Sequence, residues 1–208
     1  MGLYLKKYVE EDCLLGMWLI EEDFDTLYNK IQLTTEENDM LMSYQSMQRR
    51  IEWLSVRVLL NEMLKNNSRI IYNESRKPFL SDNSYNISIS HSLNFTSILL
   101  SKTKKVGIDL EFMSHQIVNV AHKFINDKEY IDELDKRRHL YIHWCAKEAL
   151  YKICDKQDIN FKQNLTLEPF NIEECGVTKG IVENKFGREV FDVNYFSIDG
   201  YIIAWCTK

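Results

Sequence analysis

The segment "WCAKEALYK" (144–152) sets Lys147, Glu148 and Lys152 among residues that are otherwise apolar. Placed around a helix, Trp144, Cys145, Ala146, Ala149, Leu150, Tyr151, Ile153 and Cys154 cover most of its circumference, the pattern of a buried helix. Charged groups survive burial only when paired, because taking them out of water is costly. Glu148 and Lys152, four apart, share a face; on an exposed helix such a pair would add only about 0.2–0.5 kcal/mol. A second segment, "VGIDLE" (106–111), places Asp109 and Glu111 on the same side of a strand. Neighbouring carboxylates repel unless a cation or proton intervenes. The pair is either a strand end in water or, with Glu148 as a third acid, a site for Mg²⁺, a hard cation that takes carboxylate and phosphate oxygens.

Other segments offer groups for the phosphates. "SISHS" (88–92) carries Ser90, His91 and Ser92 at the end of an alternating strand, and "RKPFL" supplies Arg76 and Lys77 just before it. Arg50 and Arg57, seven apart, fall on one helix face. Each of these is either a structural or solvated group or part of an electrostatic grip on a polyphosphate. No P-loop, G-x-G-x-x-G turn or G-x-S-x-G elbow is present. Metal plus polyphosphate without a P-loop points to phosphoryl-type transfer on another scaffold.

These groups must be positioned by a folded core. The chain has 208 residues, 45% of them hydrophobic, enough for one large domain or two small ones. With only 7 Gly and 2 Pro, long linkers are not expected. Residues 3–8 alternate as a strand, 21–31 read as a short helix, and 34–66 as a long helical stretch capped at Thr34 or Thr35. Residues 72–81 form a turn-containing loop, 85–92 and 95–102 a hairpin, and 105–113 another strand. The second half repeats the order: 116–153 is mainly helical, followed by strands at 161–172, 188–198 and 200–208. "WLSVRVLLNEML" and "WCAKEALYKICD" share a Trp, a basic residue and a Leu at matching or near-matching spacing. The expected fold is α+β, with two similar halves, 1–105 and 106–208, forming an intramolecular pseudo-dimer. A cleft at their interface is the expected place for the ligand.

A net charge of −5 gives no support for nucleic-acid binding. Of the five cysteines, an odd number without a C-x-x-C pair, most read as reduced core residues and none as part of a zinc site. The N-terminus lacks an apolar signal core, and the seven-residue run "LLGMWLI" is far too short to span a membrane, so a cytoplasmic protein is expected.

Taken together, "VGIDLE" and "WCAKEALYK", with Asp109 and Glu148 39 residues apart, closely resemble the paired motifs of the 4′-phosphopantetheinyl transferase superfamily, in particular its two-half, surfactin-synthetase-activating type. "RKPFL" is similar to that family's G-K-P segment and "SISHS" to its N-I-S-H-S segment, so the resemblance runs from about residue 45 to the C-terminus. It departs at Arg76, where many relatives have glycine, and the first 45 residues match only loosely. The resemblance implies Mg²⁺-dependent transfer of the phosphopantetheine arm of coenzyme A to a serine of an apo acyl or peptidyl carrier protein, with release of 3′,5′-ADP. Mn²⁺ is an alternative ion. It further implies that Asp109, Glu111 and Glu148 hold the metal. On the same resemblance Glu148 is the base that activates the carrier serine through a water, and Lys152 stabilises or protonates the departing phosphate. Arg50, Lys77, Ser90, His91, Lys147 and Lys152 contact the coenzyme's phosphates. The stretch after the D-x-E strand, with Val118, Val120, Phe124 and Ile125, faces the carrier or the core. The chain is expected to act as a monomer on a fatty-acid, polyketide or nonribosomal-peptide carrier. The competing readings are a Mg²⁺-dependent coenzyme A phosphohydrolase and a non-catalytic coenzyme A-binding relative.

Overall fold

The computed structural model describes residues 2–66, 68–154 and 159–208. They form two compact units, Met1–Thr103 and Lys104–Lys208, each with its own core. Both are mixed, with helices laid on antiparallel sheets.

The first unit contains β1 (Leu3–Glu10), β2 (Cys13–Leu19), α1 (Phe24–Tyr28), α2 (Thr35–Ser43), α3 (Met47–Leu64), β3 (Ile70–Tyr72), β4 (Pro78–Leu80), β5 (Asn86–Ser92) and β6 (Phe95–Ser101). Its main sheet has the order β1-β2-β6-β5, and β3 and β4 make a separate ribbon. The second unit contains β7 (Val106–Phe112), α4 (Ile117–Val120), α5 (Lys136–Ile153), α6 (Phe161–Asn164), β8 (Leu165–Leu167), β9 (Cys175–Asn184), β10 (Gly187–Ile198) and β11 (Tyr201–Thr207), with the sheet order β7-β11-β10-β9-β8.

One motif occurs in each unit: a strand, a long helix, then an antiparallel pair whose last strand lies beside the first. It is β2–α3–β5–β6 in one and β7–α5–β10–β11 in the other. Each leading strand carries a glycine under its helix. A Cβ at Gly16 would lie 2.3 Å from Met63 Sδ of α3, and one at Gly107 would lie 2.1 Å from the Ala149 carbonyl oxygen of α5. Both contacts are far inside van der Waals distance; at Gly16 the flexible Met63 side chain could give way, but at Gly107 the neighbour is helix backbone, so there only glycine lets helix and strand approach this closely.

Several elements differ from the sequence reading. The helical stretch 34–66 is two helices. Thr34 caps α2 in a reciprocal box with Glu37. The chain then leaves the helix at Tyr44 and restarts with Ser46 as the cap of α3. Arg50 closes the break by donating to the carbonyls of Tyr44 (2.8 Å) and Met42 (3.0 Å). Helix is confined in 116–153 to α4, a 3-10 turn (Ala121–Lys123) and α5, and residues 124–135 run irregularly. There side chains satisfy the backbone instead: Asn126 Oδ1 accepts from Lys128 N, and Glu129 Oε2 from Asn126 N. Residues 161–172 contain α6 and the short β8. Strands β2 and β9 were not anticipated, because their apolar residues do not alternate cleanly with polar ones. Of the cysteines, Cys13, Cys145 and Cys206 are buried, but Cys175 is exposed.

The turn between β3 and β4 bends at a non-glycine residue with positive φ. Arg76 has φ +59°, the left-handed region that a side chain disfavours. Asn73 organises this turn, its Oδ1 accepting from Lys77 N at 2.9 Å and its carbonyl from Arg76 N at 2.9 Å. We expect Arg76→Gly to stabilise the protein by about 0.5–1 kcal/mol in chemical denaturation, the strain relieved exceeding the extra entropy of the unfolded chain. A loss of stability would contradict this account.

Candidate active site

In the second unit the two candidate acids Asp109 and Glu111 lie on β7, the outermost strand of its sheet. Gly107 faces α5, so Asp109 and Glu111, two and four residues on, are on the same side. Their cross-strand partners on β11 are Ala204 and Ile202. From α5, Cys145, Glu148 and Lys152 recur at helical spacing on one face. Lys152 Nζ donates to Asp109 Oδ1 at 2.7 Å and to the Ile108 carbonyl at 2.8 Å. Asp109 is buried, at 4% exposure, so this contact is a desolvated ion pair and not a surface one. Cys145 Sγ lies 3.6 Å from the Ile202 carbonyl. Burial pushes its thiol well above the usual range, and the charges of Asp109 and Glu111 push it further, so both acids are directed toward this face of α5.

A metal is compatible with this donor set. Two carboxylates on one side of β7 and a third on the facing helix are hard oxygen donors of the kind Mg²⁺ takes. Asp109 already holds a cation, the Lys152 ammonium. Among the described residues no three His, Cys, Asp or Glu side chains are gathered into a ready-made ion site.

Lys147 requires a correction. It was expected on the coenzyme's phosphates, but its side chain is fully buried. Its ammonium donates to Glu129 Oε2 (2.7 Å) and to the carbonyls of Phe124 (2.5 Å) and Phe161 (3.4 Å). Three acceptors fill the three donors of an ammonium, which leaves none for a phosphate. Glu129, which the sequence reading missed, is the centre of this cluster. Its Oε1 accepts from Leu167 N at 2.9 Å and lies 3.3 Å from His143 Nδ1. Its carboxyl is held below the usual range, hydrogen bonding and the Lys147 charge outweighing burial. The only signal in the sequence was an acid in a polar segment, indistinguishable from a solvated one.

Next to this cluster, His139 and His143 pack with ring centroids 5.0 Å apart and the rings tilted by 56°, both buried. Burial, with the charge of its neighbour, pulls the His139 pKa down to about 4, despite Asp132 and Asp135 nearby; burial lowers that of His143 as well. An imidazole with a depressed folded-state pKa refuses a proton that the unfolded chain accepts. Stability is therefore full above the ordinary 6.5 and declines as pH falls toward 4. For His139 alone we expect a loss of roughly 2 kcal/mol between pH 7.5 and 5. Denaturation at both pH values, with His139→Gln showing a shallower dependence, checks this.

The first unit holds the other expected residues. Ser90 is buried on β5. His91 stands against α3, its Nε2 2.5 Å from Arg49 Nη1 and its Nδ1 3.7 Å from Glu52 Oε2. The arginine beside His91 is thus Arg49; Arg50 points to the end of α2. Arg57 does not share a solvated face with Arg50. It is buried over the Trp53 ring at 3.1 Å. Lys77 is half-buried at the start of the β3–β4 ribbon's second strand. Of the four apolar residues after β7, Phe124 is in the core and Ile125 packs against it, while Val118 and Val120 are exposed.

Residues 105–206, just under half of the chain, match the model of the 4′-phosphopantetheinyl transferase superfamily. The matched residues contain both β7 and α5, with Asp109, Glu111, Cys145, Glu148 and Lys152. The chain is also similar to a Haemophilus influenzae protein named "Putative 4'-phosphopantetheinyl transferase", 29% identical over 135 residues. That alignment covers 60% of this chain and 57% of the relative's length. No helix among the described residues is long and apolar enough to cross a membrane.

Proposed function

We propose that the protein transfers the phosphopantetheine arm of coenzyme A to a serine of an apo acyl or peptidyl carrier protein, releasing 3′,5′-ADP. The observation that carries this reading is the Lys152–Asp109 contact at 2.7 Å, which joins the two motif segments in a buried, charged site. Asp109, Glu111 and Glu148 would hold Mg²⁺, or Mn²⁺. When bound, the ion neutralises pyrophosphate charge and makes the phosphorus more electrophilic. Glu148 accepts the serine hydroxyl's proton, directly or through a water, as the new O–P bond forms. The pyrophosphate P–O bond breaks, and Lys152 stabilises the charge that develops on the departing phosphate. His91, Ser90 and Lys77 bind phosphates of the coenzyme, and Arg49 replaces Arg50 as the arginine beside them. On this reading the chain acts in the cytoplasm as a monomer.

The test is intact-mass spectrometry of apo carrier domains incubated with the protein, coenzyme A and Mg²⁺. The expected result is a metal-dependent gain of one phosphopantetheine on the carrier serine. Asp109→Ala should lower the rate at least tenfold. Full Mg²⁺-dependent activity in that variant would overturn the metal assignment. Coenzyme A consumed without carrier modification would favour a hydrolase, and no reaction with any carrier type a binding protein.

A further inference from the structure

The Glu129 cluster sits one residue from Glu148, and its geometry goes beyond stability. At about 100° per residue, positions 147 and 152 lie about 140° apart around α5, and position 148 falls between them. Lys152 fixes one side of the helix to β7 through Asp109 and Ile108. Lys147 fixes the other side to Phe124, Glu129 and Phe161. Glu129 is in turn held by Asn126 N, Leu167 N and His143, so it links α5 to the irregular segment and to β8. A helix anchored along two directions cannot roll about its axis, and the side chain between the anchors keeps its heading. Bonds in this cluster are buried and charge-assisted, the strong kind.

We propose that Glu129 is a positioning residue for Glu148: through Lys147 it sets the rotation of α5 and so holds Glu148 toward the acids of β7. The inference rests on the transferase reading for its kinetic part only. Removing the carboxylate's charge leaves the buried Lys147 ammonium without its counter-charge, so the variant should be less stable, and in the folded molecule α5 should roll by a few degrees, enough to shift Glu148 relative to Asp109 and Glu111. Placement errors of this size at a reacting centre are costly.

The experiment compares the full chain with its Glu129→Gln variant in two assays. In Mn²⁺ titration followed by electron paramagnetic resonance, which needs no turnover, Mn²⁺ binding should weaken about fivefold or more. In carrier modification, kcat should fall about tenfold and half-saturating Mg²⁺ rise, with KM for coenzyme A changed less than twofold. Glu129→Asp should recover part of both. A variant that melts earlier but binds Mn²⁺ and turns over as the parent does would overturn the proposal and leave the cluster a purely structural one. If the parent modifies no carrier, the transferase reading fails, and the Mn²⁺ titration still decides the role of Glu129. If Glu129→Gln does not fold, His143→Leu, which takes one neighbour from the carboxylate, should weaken Mn²⁺ binding in the same direction; unchanged binding there would count against the proposal.

Discussion

The Lys147→Ala variant should lose roughly 3–5 kcal/mol of stability, enough to leave a typical domain of this size largely unfolded near 37 °C. The substitution removes the cation from a carboxylate that is itself fully buried and strips donors from the Phe124 and Phe161 carbonyls. An uncompensated buried charge is among the most damaging single changes a core can suffer. Denaturant midpoints measure the loss. Lys147→Met with Glu129→Gln should be milder than Lys147→Met alone, because the second change removes the stranded charge. Equal losses in the two would show that packing, not charge, controls this site. The conditions that maximise the effect follow from the same cluster. Below pH 6 the unfolded chain takes up protons at His139 and His143 that the folded chain refuses, a separate loss of stability, so the variant should be studied first above pH 7.

Gly107→Ala is expected to be the most damaging single-methyl change. The new Cβ would stand 2.1 Å from the Ala149 carbonyl oxygen and 3.2 Å from Ile153 Cβ. The first contact is with helix backbone, which cannot rotate out of the way as a side chain can. Either α5 lifts off β7 or β7 bends, and both move Lys152 away from Asp109. Overpacking of this kind costs about 1–3 kcal/mol, with more where backbone must shift. A displacement of about 1 Å at the reacting groups can lower turnover a hundredfold. Thermal melts and the carrier-modification assay together separate the two effects. A variant that melts like the parent and transfers at the parent rate would refute the close-packing role of Gly107.

Much of the site was legible because its signal is local. Asp109 and Glu111 share a face by the two-residue repeat of a strand, and Glu148 and Lys152 by the four-residue neighbourhood of a helix. Those periodicities follow from backbone geometry alone, so residue types at fixed spacing were sufficient. The paired motifs then carried the family. The helix–hairpin order of each half, and the leading strand β7 of the second, were likewise readable from apolar patterning and turn residues such as Asp199–Gly200, both at positive φ, whereas the leading strand β2 of the first half was not.

What tertiary structure decided concerns partners distant in sequence. Lys147 and Lys152 look alike on the helix, five residues apart. One is inserted under Glu129 and the other beside Asp109, and only the packing of the 124–135 segment and β7 around α5 distinguishes them. Arg49 and Arg50 are adjacent and chemically identical, yet one meets His91 and the other closes the end of α2, because α3 presents them about 100° apart. Arg57, written at helical spacing from Arg50, ends under Trp53 in the core. A sequence specifies which side chains share a face; it does not state what that face meets. Residue types and short-range spacing therefore determined which charged side chains could act together, and long-range packing, through desolvation and the satisfaction of buried charge, determined which partners each of them meets.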